Sequence, residues 1–143
     1  MTRTYVCAIA LAVLWPASSI AQGENLPQVL SLGATEYRQR GTSAAVRAWL
    51  SNSALARDSS LVSRTIASLR EVEGAFGHFV ALEPVATARI GSRVVRTYAA
   101  LLYENGPLFV YFDTYRVSEK VIVTGFLFNA KPDAILPSRL LGG

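Results

Sequence analysis

The chain has 143 residues, 51% of them hydrophobic, and 14 basic against 10 acidic residues give a formal net charge of +4. One cysteine, Cys7, and one histidine, His78, exclude a disulfide framework and a His- or Cys-rich metal centre, and no acidic cluster offers the spacing for an all-carboxylate site. The basic residues are scattered apart from Arg89, Arg93 and Arg96, which excludes a nucleic-acid footprint. That trio reads as a solvated hairpin tip, with contact to an anionic surface as its functional alternative.

The first element is an address. Arg3 supplies a positive start, "YVCAIALAVLW" (5–15) is an apolar run, Pro16 breaks it, and Ser19-Ile20-Ala21 offers small residues to a signal peptidase. The sequence therefore predicts a signal peptide over 1–21 and an exported protein, periplasmic or secreted after cleavage near Ala21. The run is shorter than the roughly 20 residues of a membrane span, and no later run matches it, so no stable membrane insertion is expected. Cys7 leaves with the signal, so the mature chain has no thiol and stability must come from packing. Residues 22–137 are expected to form a single domain and 138–143 a flexible tail.

Three helices follow. "PQVLSLGATEYRQR" sets Val29, Leu30, Leu32 and Tyr37 near helical spacing, with Pro27 in the first turn and Gly41 as the stop. Ser43 is the predicted cap of a second helix carrying Val46, Trp49 and Leu50. Ser59 or Ser60 is the predicted cap of a third, with Leu61, Val62, Thr65, Ile66 and Leu69 on one side and Gly74 and Gly77 at its end.

After Gly77 the period changes to two. "FVALEPVATARI", "RVVRTYAALLY", "PLFVYFDTY" and "KVIVTGFLFN" read as strands, separated by Gly91-Ser92, Asn105-Gly106 and Ser118-Glu119. Short loops make an antiparallel meander. These turns predict Tyr98 opposite Asp113, Asp113 opposite Thr124, Tyr111 opposite Phe126, Phe109 opposite Phe128, and Val85 beside Tyr98. One face is then aliphatic (Val80, Leu82, Ala86, Ala88, Ile90, Val95, Ala99, Leu101, Leu108, Val110, Phe112, Val123, Leu127) and lies under the helices. The other is aromatic and polar, with Glu83, Val85, Arg96, Tyr98, Phe109, Tyr111, Asp113, Tyr115, Thr124, Phe126 and Phe128. A bulge at Gly125 would exchange the faces for the last strand alone. The fold class is thus α+β, with N-terminal helices packed on one face of a four-stranded antiparallel meander sheet.

"YENGPLFVYFDTY" followed by "GFLFNAKPDAILP" resembles uncharacterised exported members of the nuclear transport factor 2-like group, whose fold is the cystatin-like α+β cone. The likeness covers roughly residues 28–137. It implies a cone that binds ligands or dimerises. Some cones, such as ketosteroid isomerases, are enzymes with an acid or base in the pocket, but none of their catalytic motifs aligns with this chain.

Asp113, set among aromatic residues, is the one candidate for chemistry. On an enclosed face its carboxylate would turn into an acid or base, with Tyr98 as oxyanion donor. On an open face it is a member of a cross-strand polar row. His78 has no nucleophile or orienting group to serve. The sequence favours the open face: a non-catalytic binding domain, without cofactor or metal, that takes a small apolar ligand or a protein partner on Tyr98, Phe109, Tyr111, Asp113, Tyr115, Phe126 and Phe128. A homodimer through this face is expected. An acid/base enzyme using Asp113 and Tyr98 is the alternative, and a structural or assembly subunit the third reading.

Overall fold

A computed structural model describes residues 26–142, so the predicted signal peptide lies outside the described residues. Among these residues, α1 (Gln28–Arg40), α2 (Thr42–Trp49) and α3 (Ser59–Phe76) precede β1 (Phe79–Ile90), β2 (Val94–Tyr103), β3 (Gly106–Val117) and β4 (Lys120–Asn129). The strands form one antiparallel sheet in the order β1-β2-β3-β4, with the helices against one face. The protein is α+β.

The helix boundaries follow from backbone chemistry. Gly41, at φ +83°, ends α1 by giving its N–H to the Tyr37 carbonyl (3.0 Å) and also begins α2, so Ser43 is not the cap. Asp58, rather than Ser59 or Ser60, caps α3: its Oδ1 accepts the Leu61 N–H at 2.9 Å. Gly77, at φ +84°, ends α3, and Gly74 lies within it.

The core lies between helices and sheet. Leu30, Tyr37, Val46, Trp49, Leu50 and Leu69 meet Ala99, Leu101, Leu108, Val110, Phe112 and Val123. Gly33 lets α1 and α2 cross closely. A Cβ there would fall 2.1 Å from the Trp49 indole, whose N–H is donated to the Leu30 carbonyl at 3.1 Å.

Register decides which side chains share the far face. Tyr103 pairs with Gly106 around a Glu104–Asn105 turn, so Tyr98 stands opposite Tyr111 and Arg96 opposite Asp113. The predicted pairing was two residues away, because the turn was centred on Asn105-Gly106. The turn is tied instead to the α3–β1 junction: Glu104 N–H bonds the His78 carbonyl (3.1 Å), Asn105 N–H the Phe76 carbonyl (2.8 Å), and the Glu104 carboxylate the His78 N–H (3.0 Å). A slip of two keeps every β2 and β3 side chain on its predicted face.

Two other strands differ. In β4 the ladder shifts between Asp113 and Thr114, with Asp113 opposite Gly125 and Thr114 opposite Val123, leaving Thr124 as the extra residue. Beyond this bulge Phe126 and Phe128 turn to the helix side, where Phe126 stacks on Phe112 (6.4 Å), and Leu127 turns to the open side. Without the bulge the turn places Phe126 and Phe128 on the open side and Leu127 under the helices; the bulge foreseen at Gly125 reverses them. In β1, shifts at Val80 and Val85 leave both exposed and send Ala86, Ala88 and Ile90 to the open side, where an aliphatic helix-side row was predicted.

Candidate functional site: the open face of the sheet

The pleat puts Arg96, Tyr98 and Ala100 of β2 and Phe109, Tyr111, Asp113 and Tyr115 of β3 on the side away from the helices. Ala86, Ala88 and Ile90 join from β1, and Ile122 and Leu127 from β4. Ala100 is buried at one end, so the accessible part is the centre and the end bearing the β1–β2 and β3–β4 turns. There Leu127 and Ile90 keep 50% and 51% of their surface in water.

Asp113 lies at the centre and is engaged. Arg96 donates from Nε to Oδ1 at 2.7 Å and from Nη2 to Oδ2 at 2.8 Å, a two-pronged charge-assisted pair. The guanidinium carbon also sits 3.9 Å from the centre of the Tyr111 ring, and Tyr98 meets Tyr111 edge-on at 6.4 Å. The hydrogen bonds to Asp113, above all, hold Arg96 more firmly protonated than an ordinary arginine. Thr124 donates to the Asp113 carbonyl oxygen at 3.4 Å. The centre is therefore one positive and one negative group cancelling within a plate of tyrosine rings.

Of the predicted residues, Tyr98, Tyr111 and Asp113 come together here, and Phe109 and Tyr115 lie on the same face one row to either side. Phe126 and Phe128 do not: they line the opposite side of the sheet. Sequence reasoning missed Arg96 as the partner of Asp113, and Ile122 and Leu127 as members of the face. Centring the turn one residue earlier, with the bulge at Gly125, recovers all three.

Leu55, Leu61 and Thr65 from the helix side, with Gly125, Phe126, Leu127 and Phe128 of edge strand β4, line an apolar groove of about 400 Å³. A void of about 10 Å³ lies behind it, among Val46, Trp49, Leu50, Leu69 and Phe112, and shares Thr65, Phe126 and Phe128 as its wall.

A second polar cluster joins the helices to β2. The buried hydroxyls of Tyr37 and Tyr103 are 3.2 Å apart, and Thr42 donates to Glu73 at 2.9 Å nearby. Burial, then the Tyr37 hydroxyl, push the Tyr103 phenol far above its ordinary pKa, and burial also raises Tyr37. Both phenols stay protonated, and Tyr37 stacks on Phe79 at 4.1 Å, so this cluster serves packing. Among the described residues no three His, Cys, Asp or Glu side chains gather into a metal-binding group. Comparisons with family models, with curated proteins and with solved structures each found no match to the chain.

Proposed function

We propose that the chain is an exported, non-catalytic binding module that pairs the open face of its sheet with a second copy of itself. The observation that carries this reading is the composition of that face: half-exposed Ile90 and Leu127 flank tyrosine rings around a charge pair that is already neutralised. Such a surface is more apolar than a soluble monomer usually leaves open. A copy facing it meets no net charge at the centre, where buried like charges would forbid self-association. The accessible part spans four strands at about 4.8 Å and some seven residues at about 3.3 Å, roughly 450 Å² in plane before side-chain relief, against about 800 Å² per partner in a standard interface. That size fits a dimer of micromolar strength.

The edges of the sheet do not compete for this role. Edge strand β1 contains Pro84, which has no N–H to offer, and two register shifts; edge strand β4 has the Thr124 bulge. Export rests on the signal-like run over 5–15, and kinship with nuclear transport factor 2-like cones on the motifs and element order already given. The acid/base reading of Asp113 and Tyr98 is disfavoured, because both carboxylate oxygens are taken by Arg96 and Tyr98 stands a row away.

One observation supports a second reading, a small apolar ligand: the groove backed by the Phe126–Phe128 wall has the volume and lining of a ligand cleft. Sedimentation equilibrium of wild type and Tyr111→Glu, a residue of the open face that does not line the groove, separates the two. The sheet-face reading expects a micromolar dimer that the substitution splits without loss of folded structure. A wild type that sediments as a monomer overturns it.

A further inference from the structure

The meander brings its first and last turns to one end of the sheet. Gly91–Arg93 joins β1 to β2 there, and Ser118–Glu119 joins β3 to β4. The two ends touch: the Arg116 N–H bonds the Arg93 carbonyl at 3.0 Å, and Val94 pairs with Tyr115. This changes the basic cluster that the sequence suggested. Arg96 leaves it for Asp113, while Arg116 and Lys120 join Arg89 and Arg93. All four side chains are exposed, and none forms an ion pair among the described residues. Glu119 is the one acidic residue in the two turns and their flanks. By the pleat Arg89 and Arg116 project on the helix side of this end and Lys120 on the open side, where Val117, its partner across the ladder, keeps 45% of its surface in water, with Tyr115 and Ile122 partly exposed in the next row. The first turn of α1, which carries no acidic residue, borders the same end in a cleft with Lys120 and Ile122.

We propose that this end of the sheet docks on an anionic phospholipid bilayer surface. Unpaired arginines and a lysine are attracted by lipid phosphates and anionic headgroups, while the exposed Val117 beside Lys120 enters the boundary of the acyl region. A tyrosine at the margin suits a place that is apolar at one end and wet at the other. Neither half suffices. Cations alone would bind any polyanion, and aliphatics alone would not select charge. No described helix is long and apolar enough to cross a membrane, so the contact is peripheral.

Cosedimentation of the protein with vesicles tests this. Vesicles of phosphatidylcholine with roughly 30% phosphatidylglycerol should bind it at about 0.1 M salt and release it at about 0.5 M, and pure phosphatidylcholine should not bind it. Arg93→Glu with Arg116→Glu should weaken binding by roughly a hundredfold or more. Val117→Asn should weaken it by roughly tenfold. Arg38→Glu with Arg47→Glu, an equal charge change on exposed helix positions, should leave the protein bound. All variants should keep the wild-type circular dichroism spectrum and sedimentation mass, so the outcome is separate from dimerisation through the sheet face. The proposal is overturned by no binding to the anionic vesicles at the lower salt, by equal binding to neutral ones, by an equal loss in the helix variant, or by retention on heparin without vesicle binding.

Discussion

Asp113 and Arg96 keep 21% and 29% of their side-chain surface in water, so solvent screens even this two-pronged pair. Asp113→Asn is expected to lower stability by about 1 kcal/mol. Leu101→Ala, which empties a site only 1% exposed in the core, is expected to lower it by about 2–5 kcal/mol. Denaturant titration of both variants checks the order, and a larger loss at Asp113 would place the main source of stability on the wrong side of the sheet. The buried phenols make a pH prediction. Unfolded tyrosine titrates near 10, whereas folded Tyr103 and Tyr37 titrate above that value. Above pH 10 the folded state therefore holds more protons than the unfolded one. Stability from this source is complete below about pH 10 and falls as pH rises, by up to about 1.4 kcal/mol per pH unit for each group. Tyr103→Phe should flatten that fall. Equal slopes for wild type and variant between pH 9 and 11 would show that the buried phenol is not responsible.

The β4 strand shows how one added residue redirects an element. Up to Val123 it follows the ladder set by the Ser118–Glu119 turn; past Thr124 every side chain changes face. Phe126→Ala should accordingly cost about 3 kcal/mol and Leu127→Ala under about 1 kcal/mol, since only the phenylalanine packs on the helix-side core. The reverse order in thermal or chemical unfolding would mean a ladder without the bulge. The same strand marks the limit of what the sequence makes legible. Hydrophobic period identifies helices and strands from Gln28 to Asn129, and the faces of β2 and β3, because a side chain's face depends only on even or odd position. It does not place bulges, because "KVIVTGFLFN" alternates acceptably in either register. Nor does it centre a turn: Asn105-Gly106 is a strong local signal, but hydrogen bonds from Glu104 and Asn105 to residues before β1 overrode it. Hence Tyr98, Tyr111 and Asp113 were legible as one site, while the partnership of Arg96 and the placement of Phe126, Phe128 and Leu127 required long-range contacts.

At the scale of the molecule, three helices cover one side of a four-stranded sheet and leave the other to find its own cover. The covered side holds the aliphatic core, and the edges are blunted by Pro84 and the bulges. What is left open at the centre is a tyrosine plate with an internally neutral charge pair, the surface that the proposed dimer would pair by two-fold symmetry. An apolar groove lies against Phe126 and Phe128, so subunit number and retained small molecule are separate observables. Native mass spectrometry of the protein at micromolar concentration reports both in one spectrum. Dimerisation through the sheet face predicts a mass twice that of the chain, with no added mass, that reverts to the single mass in Tyr111→Glu. A single-chain mass for wild type, or a dimer untouched by that substitution, would contradict it.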